Sequence, residues 1–134
     1  MTRRKEKRID GGFLLVPKNI LRSQNYLKLT PKAVKLLLDL GEQYNGKNNG
    51  DLCAAWSMMK ERGWNSKDTL NKALRELEHY SFIHMIQKGG LNRPCLYALC
   101  WRDINKRSLD PDFPTLERAR QYLETKKKYH YQKK

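Results

Sequence analysis

The residues with the clearest chemical potential lie between positions 65 and 80. Lys67, Thr69, Asn71, Lys72 and Arg75, with Glu78 beyond them, gather on one side of a helix, opposite Leu70, Ala73, Leu74, Leu77 and Tyr80. The apolar set falls at i, i+3, i+4, i+7 and i+10, the period of an amphipathic α-helix. A polar helical face of this kind suits nucleic acid. An α-helix fits the major groove of duplex DNA, where asparagine pairs with adenine and arginine with guanine. On a helix lying in such a groove, Asn71 and Arg75 would be the base readers. Lys67 and Thr69 lie near the helix N-terminus, where free N–H groups and the helix dipole favour a phosphate. Lys72 is a further phosphate candidate. The alternative for the same residues is a solvated helix face.

A second set, Lys88, Asn92 and Arg93, surrounds Gly89 and Gly90. Residues 82–87 and 95–101 are β-favouring runs on either side, so these cations sit at the tip of an expected hairpin. Such a tip either lies along a DNA backbone, enters a minor groove, or is simply a solvent-exposed loop. A third set is at the ends of the chain. Residues 1–8, with Arg3 and Arg4, carry a net +4, residues 125–134 a net +5, and the remainder a net +5. Both ends lack the apolar content to order themselves and read as basic arms that could extend a DNA footprint. Tyr129 and Tyr131 interleave with the C-terminal lysines, as stacking groups or as part of a solvated tail.

The 134 residues suffice for one domain with short tails, and Lys plus Arg outnumber Asp plus Glu by 28 to 14. That excess favours a polyanionic partner. No run approaches the roughly 18 apolar residues of a membrane span. The apolar run 13–16 stops at Pro17, too short for a secretory signal, so the expected location is the cytoplasm. Three cysteines, Cys53, Cys95 and Cys100, fit a reducing compartment as free thiols. Cys95 and Cys100 face opposite ways on a regular strand, and with His79 and His84 they match no strong zinc template. No metal, cofactor or small-molecule substrate is expected. Glu76 and Glu78 have no matching nucleophile or glycine-rich phosphate loop, so no enzyme is expected either.

The elements that must position these groups can be read in order. Gly11-Gly12 ends the arm 1–12. Residues 13–29 show no single period and suggest a short strand or a turn of helix. Thr30-Pro31 starts a helix, with threonine as N-cap and proline at the first helical position. Ala33, Val34, Leu36, Leu37, Leu38 and Leu40 make its apolar stripe too wide for a surface helix, which predicts a central buried one. A polar loop spans 45–50, and 51–53 could pair as a minor strand. Residues 55–62 suggest a second helix, stopped by a left-handed Gly63. Trp64 is placed to plug the corner before a third helix, which Asn65 or Ser66 caps and Asp68 complements electrostatically. Trp56, Trp64 and Trp101 are expected in the core. Residues 102–114 form a proline-containing linker, and 115–134 a last helix, with Leu116, Ala119, Tyr122 and Leu123, that runs into the basic tail.

The order is buried helix, short helix, tight turn, amphipathic helix, hairpin. Ser66-Lys67-Asp68-Thr69-Leu70-Asn71-Lys72-Ala73-Leu74-Arg75-Glu76-Leu77, followed by Phe82-Ile83, Gly89-Gly90 and Tyr97-Ala98-Leu99, resembles the core of winged helix-turn-helix proteins of bacteria, phages and mobile elements. The likeness covers about residues 30–101. It implies a mainly α fold with a small β-hairpin, a winged helix-turn-helix over 13–101. It also implies a recognition helix at about 66–80 and a wing at about 82–101. The implied function is sequence-specific binding of double-stranded DNA in transcriptional regulation or replication initiation. One position departs from the pattern: Ser81 stands where the family usually has glycine. If the backbone there is left-handed, serine costs on the order of 1 kcal/mol. Two other readings remain open, a winged-helix protein-interaction module and an RNA- or ribosome-associated factor. The first would show apolar anchors where this helix shows Lys, Asn and Arg. Dimerisation is also open, since the last helix either pairs two copies or folds back on its own domain.

Overall fold

The computed structural model describes residues 11–102. Most of the N-terminal arm, with Arg3 and Arg4, lies outside them. So do the linker from residue 103, the expected C-terminal helix and the basic tail.

The ambiguous stretch 13–29 forms two helical turns, α1 (Lys18–Leu21) and α2 (Gln24–Leu27). Ser23 joins them. Its hydroxyl donates to the Ile20 carbonyl at 2.8 Å and accepts from the Tyr26 N–H at 3.2 Å, capping α2. Helix α3 (Pro31–Glu42) begins as its sequence predicts, with Thr30 Oγ1 accepting from the Ala33 N–H at 3.3 Å and proline at the start. Ala33, Leu36, Leu37 and Leu40 are buried, but Leu38 is half exposed and Lys32 and Lys35 face outward. α3 is thus the expected central buried helix, with one solvated flank. Gly41 near its end admits the N-terminal segment: a Cβ there would stand 2.6 Å from Leu14 Cδ2.

Strand β1 (Leu52–Cys53) precedes α4 (Trp56–Met59), which tightens into a 3₁₀ turn over Lys60–Arg62. The expected second helix is therefore split, α-helical over Trp56–Met59 and 3₁₀ over Lys60–Arg62. Gly63, with φ of 92°, turns the chain out of it, and Trp64 fills the corner as a buried residue. Helix α5 (Lys67–His79) is capped by Ser66, whose Oγ accepts from the Thr69 N–H at 3.3 Å. Leu70, Ala73, Leu74, Leu77 and Tyr80 are all buried, as the periodicity requires.

The end of α5 is a Schellman motif. The Ser81 N–H donates to the Glu78 carbonyl at 3.1 Å and the Phe82 N–H to the Leu77 carbonyl at 3.0 Å. Leu77 and Phe82, both fully buried, supply its apolar contact. Ser81 has φ of 65°, so the left-handed position is occupied by serine.

Strands β2 (Ile83–Gln87) and β3 (Leu96–Leu99) form the antiparallel hairpin, and β1 pairs with the other side of β3, giving the order β1-β3-β2. Ile83 lies opposite Leu99 and Met85 opposite Tyr97, and a bulge shifts the register between Met85 and Gln87. One core joins Leu36 and Leu40 of α3, Leu70 and Leu77 of α5, Met59, Trp64, Leu52, Ile83, Leu99 and Trp101. Trp56 packs against it partly buried. The fold is helices packed on a small three-stranded sheet. No described helix is long and apolar enough to cross a membrane.

Candidate nucleic-acid interface

Two buried carboxylates fix α5 in place. Glu76, on α5 but 8% exposed, accepts from the Thr30 N–H at 3.1 Å and from Thr30 Oγ1 at 2.9 Å. The residue that caps α3 is thereby tied to the middle of α5. Asp39 of α3 accepts from Lys35 Nζ at 2.6 Å, Arg62 Nε at 3.0 Å and Trp64 Nε1 at 2.8 Å. Burial pushes the Asp39 carboxyl up, but hydrogen bonds from Lys35, Trp64 and Arg62 outweigh it and hold the group below the ordinary carboxylate range. Lys35 also donates to the Arg62 carbonyl at 2.7 Å and lies 5.3 Å from the Trp64 ring centroid. The turn before α5 is therefore anchored to α3 from three sides.

With its apolar side buried, α5 presents Lys67, Asn71, Lys72 and Arg75 to solvent, while Thr69 is half-buried in the first turn. Lys72 Nζ pairs with Asp68 Oδ2 at 3.1 Å, both side chains being about half exposed. A surface i,i+4 pair is worth only about 0.3–0.5 kcal/mol, so a phosphate can replace the carboxylate at small cost. Glu78 marks the far end of the face. Burial raises its carboxyl above the ordinary range, with Arg75 opposing the shift.

At the hairpin tip, Lys88, Asn92 and Arg93 are exposed. Gly90 and Arg93 exchange backbone hydrogen bonds of 2.9 and 3.1 Å around Leu91-Asn92. Asn92 has φ of 57°, a conformation asparagine tolerates, so its residue type also serves the turn. Arg93 Nη2 donates to Gln87 Oε1 at 3.2 Å, and Gln87 Nε2 to the Pro94 carbonyl at 3.0 Å. Cys95 Sγ accepts from the Gly89 N–H at 3.1 Å, and a Cβ on Gly89 would stand 2.8 Å from that sulfur. The other end of β3 is gripped by fully buried Asn49. Its Oδ1 accepts from the Leu99 N–H at 2.7 Å, and its Nδ2 donates to the carbonyls of Leu99 and Arg102 at 3.1 and 3.0 Å.

The structure thus gathers Lys67, Thr69, Asn71, Lys72 and Arg75 on one helix and Lys88, Asn92 and Arg93 at one hairpin tip. The positioning roles of Asp39, Glu76 and Asn49 escaped sequence reasoning. Only the i,i+4 spacing of Lys35 and Asp39 hinted at one of them. A surface cleft of about 660 Å³ lies between residues 11–15, the end of α3 and Arg102, and none of the candidate residues lines it. Among the described residues, no group of three or more His, Cys, Asp and Glu side chains is placed to hold a metal ion. Cys53, Cys95 and Cys100 are free thiols. Burial pushes the His84 imidazole down to about 4. It also pushes the Tyr97 hydroxyl well above its ordinary range, helped by Glu78 and Cys95.

The chain matches no protein-family profile, no curated protein and no solved structure. Its functional reading rests on geometry and charge.

Proposed function

We propose that this protein is a winged helix-turn-helix protein that binds double-stranded DNA in a sequence-specific manner. Helix α5 enters the major groove and the β2–β3 hairpin acts as the wing. One observation carries the reading: α5 buries a complete apolar stripe and leaves Lys67, Asn71, Lys72 and Arg75 exposed on its other side. Asn71 and Arg75 read base edges, Lys67, Thr69 and Lys72 meet phosphates, and Lys88 and Arg93 extend the contact along the backbone. Such a module serves transcriptional regulation or replication initiation. The net charge of +14 supplies the long-range attraction that any such partner needs.

The test is selection from random-sequence duplex DNA, followed by footprinting and by competition with single strands and RNA at fixed salt. A preferred duplex site supports the reading, and a palindromic one adds a homodimer. Equal or better binding to RNA moves the protein to the ribosome- or RNA-associated class. Absence of nucleic-acid binding leaves the interaction module.

A further inference from the structure

We infer that Leu91 is a wedge that enters the minor groove of duplex DNA and unstacks a base step. The inference rests on the DNA-binding reading above and deepens it. Leu91 is 96% exposed, the most exposed of the large apolar side chains among the described residues. Isolated exposed leucines are ordinary, so exposure alone decides nothing. Its position does. Leu91 is a central residue of the turn closed by both Gly90–Arg93 hydrogen bonds, and is therefore the apex of the hairpin.

That apex is fastened. Gly89 is tied to Cys95 Sγ, Arg93 to Gln87, and Gln87 to the Pro94 carbonyl. A tip ordered before contact loses less conformational freedom on insertion than a loose loop would. Exposed cations flank it, Lys88 on one side and Arg93 on the other. They match the phosphates that border a minor groove on both sides. An apolar side chain projecting between cations is the composition with which proteins pry apart a base step and kink the duplex.

The experiment uses the full chain and a duplex of about 30 base pairs containing one TA step, the kind most easily unstacked. A 2-aminopurine beside that step reports unstacking, and dyes on the two ends report bending. The parent protein is expected to raise the 2-aminopurine emission and bring the ends together. Leu91→Ser removes the emission change, reduces the bend and weakens binding about 3–10-fold, with an unchanged melting temperature. Leu91→Phe keeps both signals. If the parent binds without the emission change, or Leu91→Ser behaves as the parent does, the wedge is refuted and the DNA-binding reading survives. If the parent binds neither this duplex nor any recovered by selection, both fall together.

Discussion

Ser81 shows how much one side chain can cost where the backbone is dictated by its neighbours. The Schellman bonds from Ser81 and Phe82 require the left-handed conformation, and serine adopts it at φ of 65°. Ser81→Gly removes the Cβ responsible for the strain, at the cost of a more flexible unfolded chain. The variant should be more stable by about 0.5–1 kcal/mol, read as a higher urea midpoint at unchanged slope. A lower midpoint would mean that the serine hydroxyl contributes more than the strain costs. His84 makes a different demand. Burial holds it near 4 in the folded protein against an ordinary 6.5, so between these values the unfolded chain binds the extra proton. Stability is complete above pH 6.5 and falls as the pH drops towards 4, by on the order of 2–3 kcal/mol. Glu78 works in the opposite sense, because its raised carboxyl takes a proton more readily in the fold. Asp39 is depressed, so its contribution disappears only at still lower pH. Melting temperature measured against pH should decline through this window, and His84→Gln should flatten the decline.

At the scale of elements, the two sides of α5 should separate cleanly under mutation. Leu74 is buried, and Leu74→Ala should destabilise the protein by about 2–5 kcal/mol. Arg75→Ala should leave the melting curve unchanged but cost about 1–3 kcal/mol on a selected site and relax preference at one base pair. Lys72→Ala should weaken all sequences alike. If Arg75→Ala and Asn71→Ala both fold and bind the selected site as the parent does, α5 is not the reader. Much of this element's geometry was legible beforehand. The Thr30-Pro31 cap, a cap at Asn65 or Ser66, the left-handed Gly63, the α5 stripe and a minor strand at 51–53 all follow from local chemistry. The rest was not local. α1 and α2 span four residues each, too few for a period to show. Apart from Lys35, four residues from Asp39, the partners of Asp39 and Glu76 come from 23, 25 and 46 residues away, so little beside them in the chain marks them as buried. Leu38 carries the opposite lesson: an apolar residue inside an apolar run that the packing leaves half exposed. Of the candidate site, the residue types were legible. The Lys72–Asp68 pair has the i,i+4 spacing of a helical ion pair, whereas the fastening of Arg93 to Gln87 depends on how the turn folds.

For the whole molecule, charge and recognition should be separable. Residues 1–8 and 125–134 hold +9 of the net +14. Each phosphate neutralised contributes about −0.9 to the slope of log affinity against log salt. Removing both segments should flatten that slope while leaving the preference for a selected site intact. Loss of the preference would assign recognition to the segments. The sheet has its own consequence at this scale. Among the described residues β2 pairs on one side only, and an open strand edge is a template on which another chain can add. The bulge between Met85 and Gln87 breaks the regular spacing of donors and acceptors along that edge. A bulged edge is a poorer template than a regular one, so strand-to-strand addition at β2 is disfavoured.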